Sequence, residues 1–294
     1  MKKNWVKEFL IRDDGFYGHL YLPKSDDHPG KALLILGGGG MPYKLTQVEA
    51  EAFAGIGITA LAIGYFGVPD APKTIVRVPV EYVEKSAMYL HENGYEKVIA
   101  VGISKGAELA LTAATLVPDI NGVIAFAPSS KVYMGIGSGI SWVNASSWTF
   151  RGAELPYAYA PASGWKALAD SLKARELTFH PVYERADCAA NEDSVIPVEH
   201  INGAVLVCGS PVDSLWPGDK ACGDIIKRLT EKNFAYPYKQ LIYPYASHLL
   251  LPFETGYEKL FRVGRKYPRE CRDTIYRLQN EVLDWLKNEN PGSI

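Results

Sequence analysis

The chain has 294 residues, 47% of them hydrophobic, which is enough to build the core of one large α/β domain or of two small ones. Its 31 basic and 33 acidic residues give a net charge of −2, so composition predicts no general attraction to nucleic acid or to a membrane surface. No apolar run reaches the roughly 18 residues of a membrane span, and no apolar signal-peptide region precedes Lys7 and Glu8, which together predict a cytoplasmic protein.

Short apolar runs of strand length recur along the chain, and most of them are separated by segments with helical periodicity. Asp13-Asp14-Gly15 joins the first two runs and predicts a hairpin. This order predicts an α/β fold with a mostly parallel, eight-stranded sheet and helices on both faces. The predicted strands are 5–11, 16–22, 32–36, 58–63, 97–101, 123–126, 204–209 and 239–243. The predicted helices are 44–54, 79–91, 107–116, 165–175, 218–232 and 269–287.

Four consecutive glycines, Gly37–Gly40, follow the third predicted strand. Because glycine has no Cβ, the backbone N–H groups of such a loop can approach a ligand closely. The loop lacks the lysine and the Ser/Thr of a P-loop, so a phosphate nest or a flexible connection is the competing interpretation.

The fifth predicted strand ends in Gly102-Ile103-Ser104-Lys105-Gly106, and a helical pattern follows at once. Strand, Gly-x-Ser-x-Gly and helix in this order are typical of the nucleophile elbow of an α/β hydrolase. The sharp turn predicts a strained backbone at Ser104, with its hydroxyl raised above the sheet. In this architecture the oxyanion donors are the N–H of Lys105 and one N–H of the glycine loop, for which we name Gly38 and Gly39 as candidates.

The regular alternation stops at 131–200, a stretch rich in glycine, serine and aromatic residues. A structureless loop of this length is improbable inside a compact domain. The aromatic content predicts a cap or lid inserted into a single domain that spans 1–294, above an apolar pocket. A folded excursion with its own small core is the alternative.

Two further polar residues stand just after predicted strands, as Ser104 does. Asp213 follows the seventh strand, and His248 follows the eighth. Serine, acid and histidine in this order form the triad of the α/β-hydrolase fold. His248 is suited to remove the serine proton, and Asp213 to orient the imidazole and stabilise its charged form. Asp219 competes for the acid position, but it falls at a predicted helix start, where acidic residues are ordinary.

The cysteines show no spacing typical of a redox motif or a zinc site. They are Cys188, Cys208, Cys222 and Cys271. We therefore predict no metal, no cofactor and a reducing compartment. The segment 259–277 is strongly basic, with seven basic residues against two acidic ones. It is interpreted either as a phosphate-binding surface beside the site or as a solvated helix face.

Several motifs resemble the catalytic domain shared by type-I acyl-CoA thioesterases and bile acid-CoA:amino acid N-acyltransferases, over about 30–250. They are Ile103–Ala110, Tyr65-Phe66-Gly67, Pro72-Lys73-Thr74, Ser147-Trp148-Thr149, Leu155-Pro156-Tyr157, Ile196–Glu199 and Leu215-Trp216-Pro217. The resemblance implies a triad that acts on an acyl-CoA thioester, and its positions fall on Ser104, Asp213 and His248. Three aromatic residues of the motifs, Tyr65, Trp148 and Trp216, are predicted to contact the substrate.

These observations predict a serine hydrolase that cleaves an acyl-CoA thioester or a carboxylic ester, with a small-molecule substrate and neither nucleic acid nor a membrane as partner. The alternatives are an N-acyltransferase and a non-catalytic ligand-binding protein on the same scaffold. Only about 30 residues precede the first predicted core strand, so we expect no counterpart here of the N-terminal β-sandwich of the animal members of that family. This difference is why simpler esters remain substrate candidates.

Overall fold

A computed structural model describes residues 4–287. Met1–Lys3, the first residues of the stretch that shows no signal-peptide pattern, lie outside the described residues. The strands are β1 Lys7–Phe9, β2 Gly18–Tyr21, β3 Lys31–Leu36, β4 Thr59–Ile63, β5 Val78–Pro79, β6 Lys97–Ile103, β7 Gly122–Phe126, β8 Met134–Ile136, β9 Trp142–Ser146, β10 Trp148–Phe150, β11 Ala153–Glu154, β12 Ala204–Gly209 and β13 Tyr238–Ile242. The helices are α1 Ile11–Asp14, α2 Tyr43–Gly55, α3 Glu81–Glu92, α4 Lys105–Leu116, α5 Gly164–Ala174, α6 His180–Cys188, α7 Gly218–Glu231, α8 Arg262–Lys266 and α9 Pro268–Lys287.

Eight of these strands form the central sheet, in the order β1-β2-β4-β3-β6-β7-β12-β13. The pairs β1/β2 and β2/β4 are antiparallel, and the remaining pairs are parallel. This confirms the predicted eight-stranded, mostly parallel sheet. Because the carboxyl ends of the parallel strands share one edge, residues that follow β6, β12 and β13 are brought to the same side of the molecule.

Successive residues of the central strands face opposite helical layers, which explains why these strands are apolar throughout. In β3, Leu34 and Leu36 pack in one core cluster with residues of α3, α4 and α7. Leu33 and Ile35 pack in a second cluster with residues of α2 and α9. The sheet is therefore covered on both faces, as the sequence predicts.

Two local predictions, one at 13–15 and one at Pro79, are wrong in detail. The first two strands do pair, but α1 joins them, and it ends at Gly15 with φ 78°. The Asp14 side chain accepts a hydrogen bond from the Leu10 N–H at 2.8 Å, which stabilises a helical turn where a tight hairpin was expected.

Pro79 does not open a helix, because it pairs with Thr149 in a short strand and α3 begins only at Glu81.

The segment 131–200 contains more regular structure than its sequence suggests. It holds the strands β8–β11, the helices α5 and α6, and two 3-10 turns, Glu192–Ser194 and Val198–His200. The strands are two to five residues long, too short for a visible period. Aromatic side chains of the segment, including Tyr133 and Tyr183, pack around Trp216 in a small core of their own.

Within residues 4–287, no helix has both the length and the apolar character required to cross a bilayer.

Glu49 lies in the middle of α2, on the buried face that packs against the sheet. Within the described residues its Oε1 atom has no hydrogen-bond partner. Burial raises the pKa of Glu49 from the usual 4.5 to about 8, so the folded protein keeps this carboxyl protonated at neutral pH.

This pKa shift predicts a pH-dependent stability. Below about pH 4.5 the carboxyl is protonated in both states, whereas between about pH 4.5 and about 8 only the folded chain keeps the proton. The protein should therefore lose up to about 1.4 kcal/mol of unfolding free energy per pH unit over this window. Urea denaturation of wild type and Glu49→Gln should show curves that diverge as the pH rises. The exposed Glu92→Gln should follow wild type, and parallel curves for Glu49→Gln would contradict the assignment.

Candidate active site

Ser104 occupies the tight turn between β6 and α4, with φ 57° and ψ −121°. An L residue with positive φ is strained and persists only where its surroundings enforce it. A Cβ on Gly106 would lie 2.0 Å from the Leu36 carbonyl oxygen, and a Cβ on Gly102 would lie 2.2 Å from the Gly106 carbonyl oxygen. Only glycine fits at these two positions, and the elbow geometry therefore agrees with the prediction.

The Ser104 side chain is half-buried at the N-terminus of α4. Its N–H donates to the Phe126 carbonyl at 2.9 Å, which ties the elbow to the end of the neighbouring strand β7. The Ser104 hydroxyl makes no hydrogen bond to any residue in 4–287. Hydrogen bonds to catalytic groups are often loose in the absence of substrate, so this geometry is compatible with a nucleophile.

Asp213 and His248 are brought into contact by loops that follow β12 and β13. The His248 Nδ1 and the Asp213 Oδ2 lie 2.7 Å apart, and both side chains are buried. The other carboxylate oxygen, Oδ1, accepts from the N–H groups of Leu215 at 2.8 Å and Trp216 at 3.3 Å. Since neutral imidazole carries one proton, a proton on Nδ1 leaves Nε2 as an acceptor.

The acid and histidine loops are held together by contacts outside the pair itself. The Ser210 hydroxyl donates to the Ala246 carbonyl at 2.7 Å, which joins the two loops two or three residues before the functional side chains. The ring of Trp216 stands edge-on to His248 with centroids 5.7 Å apart. The Trp216 Nε1 donates to the Ala127 carbonyl at 2.9 Å, and Ala127 itself has a strained φ of 45° after β7.

The glycine loop lies against the elbow. A Cβ on Gly38 would lie 3.4 Å from the Ser104 Cβ, and a Cβ on Gly39 would lie 3.2 Å from the Lys105 Cγ. Among the described residues, no protein acceptor takes a hydrogen bond from the N–H of Gly38, Gly39 or Lys105. Within the described residues, both candidate glycines and Lys105 therefore keep unpaired N–H groups at the elbow. The structure does not select between the two glycines.

The Lys105 side chain forms a buried ion pair with Glu108, three residues further along α4. Its Nζ donates to both carboxylate oxygens of Glu108 at 2.9 Å and to the Ser147 hydroxyl at 2.8 Å. The Glu108 Oε1 also accepts from the Trp148 Nε1 at 2.9 Å and from the Tyr133 N–H at 3.1 Å. All of these contacts except the ion pair itself cross from α4 to the segment 131–200.

The ion pair lies in a strongly desolvated environment, because Lys105 is 1% exposed and Glu108 is fully buried. Burial raises the pKa of Glu108 and lowers the pKa of Lys105, although each partner opposes the shift of the other. The i,i+3 spacing of these two residues is visible in the sequence, although Lys105 precedes the predicted helix 107–116. Their joint burial is not, because exposed Lys–Glu pairs show the same spacing.

The three aromatic residues predicted to contact substrate are all buried, and each donates to a protein acceptor. The Tyr65 hydroxyl donates to the Gly37 carbonyl at 2.6 Å, and Trp148 and Trp216 donate to Glu108 and Ala127 as described. None of them is more than 2% exposed. In this structure these rings position the loops of the site, and they do not form an open binding surface.

Asp219, the competing acid, lies in the first turn of α7 and makes no hydrogen bond or ion pair with another side chain in 4–287. The structure therefore brings His248 together with Asp213 and not with Asp219. Among the described residues, no group of three or more His, Cys, Asp or Glu side chains is arranged to hold a metal ion.

The parallel sheet and the strained serine turn define the α/β-hydrolase fold, and solved structures agree. The esterase Est2 from the Planctomycetes species Thermogutta terrifontis aligns over 99% of this chain and 95% of its own, with a TM-score of 0.55 and 15% identity. A putative dienelactone hydrolase from Klebsiella pneumoniae aligns over 92% of each chain, with a TM-score of 0.54 and 12% identity. At these identities the likeness shows the fold alone.

The chain belongs to the family described as BAAT / Acyl-CoA thioester hydrolase C terminal, whose model matches residues 78–253. Acyl-coenzyme A thioesterase 1 of Rattus norvegicus is 26% identical over 252 residues, which are 84% of this chain and 55% of that protein. The mitochondrial acyl-coenzyme A thioesterase 2 of Homo sapiens is 26% identical over 284 residues, which are 95% of this chain and 52% of that protein. The match to the family model confirms the predicted family. The chain spans about half the length of these two relatives.

The buried ion pair generates a stability prediction. Lys105→Met should cost about 3–5 kcal/mol of unfolding free energy, because it leaves the Glu108 carboxylate buried without its cation. Adding Glu108→Gln should restore much of this loss, since the neutral amide oxygen still accepts from Trp148 and Tyr133. Urea denaturation of the two variants measures both values. Lys166→Met, which breaks an exposed ion pair with Asp170, serves as the control and should cost at most about 1 kcal/mol.

The prediction fails if Lys105→Met unfolds like the Lys166→Met control, or if the second substitution lowers stability further by the amount that Glu108→Gln costs on its own.

Proposed function

We propose that this protein is a serine hydrolase that cleaves an acyl thioester or a carboxylic ester through an acyl-Ser104 intermediate. The observation that carries the proposal is the contact of 2.7 Å between His248 and Asp213 at the same sheet edge as a strained, half-buried serine. An isolated histidine or an isolated strained serine has structural explanations. A buried acid–histidine pair and a nucleophile elbow at the carboxyl ends of the same parallel strands match the requirements of acyl transfer.

In the proposed reaction His248 accepts the Ser104 hydroxyl proton as the serine oxygen attacks the substrate carbonyl carbon. Asp213 fixes the imidazole orientation through Nδ1 and stabilises the imidazolium ion that forms. The same imidazolium then protonates the departing thiolate or alkoxide. A water molecule, activated in turn by His248, attacks the acyl-serine and releases the acid.

The N–H groups of Lys105 and of Gly38 or Gly39 are the donors for the negative oxygen of the tetrahedral intermediate. Preorganised donors of this kind contribute the largest single electrostatic term in many acyl-transfer enzymes. We propose that the buried Lys105 side chain is a positioning group, because its contacts fix the residue whose backbone N–H faces the intermediate.

The description of the family and the names of the two thioesterases that the chain resembles favour an acyl-CoA as the substrate. Transfer of the acyl group to an amino acid, which the resemblance also implies, is the second candidate reaction. A serine nucleophile gives an oxygen ester, which is less reactive toward amines than the thioester formed by a cysteine, so hydrolysis is the proposed outcome. We further propose that 131–200 acts as a cap, because it contacts both α4 and the acid loop.

The direct test is a panel of acyl-CoAs and p-nitrophenyl esters, with and without glycine or taurine, followed by mass spectrometry of the products. Wild type should release free acid from at least one acyl donor, and Ser104→Ala should lower kcat by several orders of magnitude. Ser86→Ala, which removes a buried hydroxyl on α3, is the matched control and should retain activity. Retention of more than about a tenth of wild-type turnover by Ser104→Ala would refute the nucleophile, and a mainly amide product would replace hydrolysis with transfer.

The acid is tested by a pair of isosteric substitutions. Asp213→Asn keeps the size of the side chain but no longer holds the proton on Nδ1 of His248, and should lower kcat by about 10⁴-fold, as in serine proteases. Asp219→Asn should have a small effect. Steady-state kinetics of both variants on the best substrate of the panel provides the measurement, and the reverse order of effects would identify Asp219 as the acid.

A further inference from the structure

The helix α5 exposes its large apolar side chains and buries its small ones. Trp165 is 84% exposed and Leu172 is 72% exposed, whereas Ala167 is only 4% and Ser171 6% exposed. Trp165, Leu168 and Leu172 are spaced by three and four residues and therefore share one face of the helix. This arrangement is the reverse of the usual one, in which the apolar face of a surface helix packs on the core.

Basic residues flank this apolar face. Lys173 lies next to this face, on the side of the helix away from the buried Ser171. Lys166 lies on the same side and is paired with Asp170. The C-terminal end of α5 contacts the segment 259–272, since the Arg265 guanidinium donates to the Arg175 carbonyl at 2.6 Å and the Arg262 N–H to the Glu176 carboxylate at 2.8 Å. That segment adds an exposed leucine, Leu260, at 57% exposure.

The segment 259–272 concentrates positive charge. It contains six basic residues and one acidic residue, and all six basic side chains are exposed: Lys259, Arg262, Arg265, Lys266, Arg269 and Arg272. The whole chain carries a net charge of −2, so the rest of the chain is correspondingly negative. The small net charge therefore does not reveal the basic segment 259–272, and this segment lies next to the exposed apolar face of α5.

We propose that the outer face of α5, together with the basic segment 259–272, docks on an anionic lipid surface. A helix with tryptophan and leucine on one face and lysine beside it is suited to lie in the interface of a bilayer. Exposed lysine and arginine residues are attracted to anionic headgroups and strengthen the binding. The surface thus offers both an apolar and an electrostatic interaction to a bilayer. Its apolar side chains are exposed in the folded chain.

A second copy of the chain is a less suitable occupant of this surface. In a two-fold dimer the same patch lies on both sides of the interface, so the basic segment would face its own copy. Like charges placed opposite one another disfavour association. An anionic bilayer is complementary to the same residues.

Docking at this face would also place the lipid surface close to the proposed catalytic site. The chain that leaves α5 bonds to the acid loop, because the Phe179 N–H donates to the Ser214 carbonyl at 3.0 Å and the Ser214 hydroxyl to the Leu177 carbonyl at 2.8 Å. Ser214 is the residue after Asp213. The docking proposal does not depend on the reaction, and the Ser104→Ala protein should bind lipid like wild type.

The test is co-sedimentation of the full chain with phosphatidylcholine vesicles, with and without phosphatidylserine. We expect binding to the anionic vesicles, weakened by salt, and little binding to phosphatidylcholine alone. Trp165→Gln/Leu172→Gln should abolish it, and Lys259→Glu/Arg269→Glu should reduce it by at least about fivefold per charge. The controls Leu22→Gln/Met88→Gln and Lys24→Glu/Lys232→Glu change exposed residues outside α5 and the basic segment and should bind like wild type. Circular dichroism verifies that each variant is folded.

Three outcomes overturn the proposal. The first is no binding of wild type to anionic vesicles. The second is a wild-type dimer in solution that Trp165→Gln/Leu172→Gln converts to a monomer while vesicle binding is absent, which would make the face a contact between copies. The third is a raised KM for a short-chain acyl-CoA in Lys259→Glu/Arg269→Glu with unchanged vesicle binding, which would make the basic segment a phosphate-binding part of the active site.

Discussion

The buried ion pair between Lys105 and Glu108 is the interaction on which the site depends most. A paired charge in a dry interior gains little net stability, because desolvation offsets most of the Coulomb attraction. The ion pair instead fixes the local geometry, because its two side chains also hydrogen-bond to Ser147, Trp148 and Tyr133. Few other arrangements would satisfy all of these contacts. The start of α4 is therefore fixed relative to 131–200, and the backbone N–H of Lys105 is fixed with it.

The sequence predicted the parts of the molecule that follow from short-range rules. The central strands are continuous apolar runs, and the elbow requires glycine at Gly102 and Gly106. Asp213 and His248 lie in the loops that follow β12 and β13. Parallel strands bring such positions to one edge without any knowledge of side-chain packing. The eight-stranded sheet could therefore be predicted, and so could the meeting of the acid and the histidine.

The remaining features depend on contacts between residues far apart in the chain. Pro79 was expected to begin a helix, but its pairing with Thr149, 70 residues later, places it in a strand. The short strands of 131–200 exist because neighbours complete them, and two to five residues carry no period of their own. Trp148 and Trp216 were expected at the substrate, and only the structure shows that their indole N–H groups are used by buried protein acceptors.

The surface around α5 shows that the distribution of charge, too, could not be predicted from the sequence. A net charge of −2 describes the field far from the molecule, whereas a surface senses the groups within about a Debye length, roughly 8 Å at physiological salt. Basic residues from two distant parts of the sequence meet because Arg265 and Arg262 bond to the end of α5. The folded chain thus creates a cationic, apolar surface that composition does not reveal, and it joins that surface through Ser214 to the loop that carries Asp213.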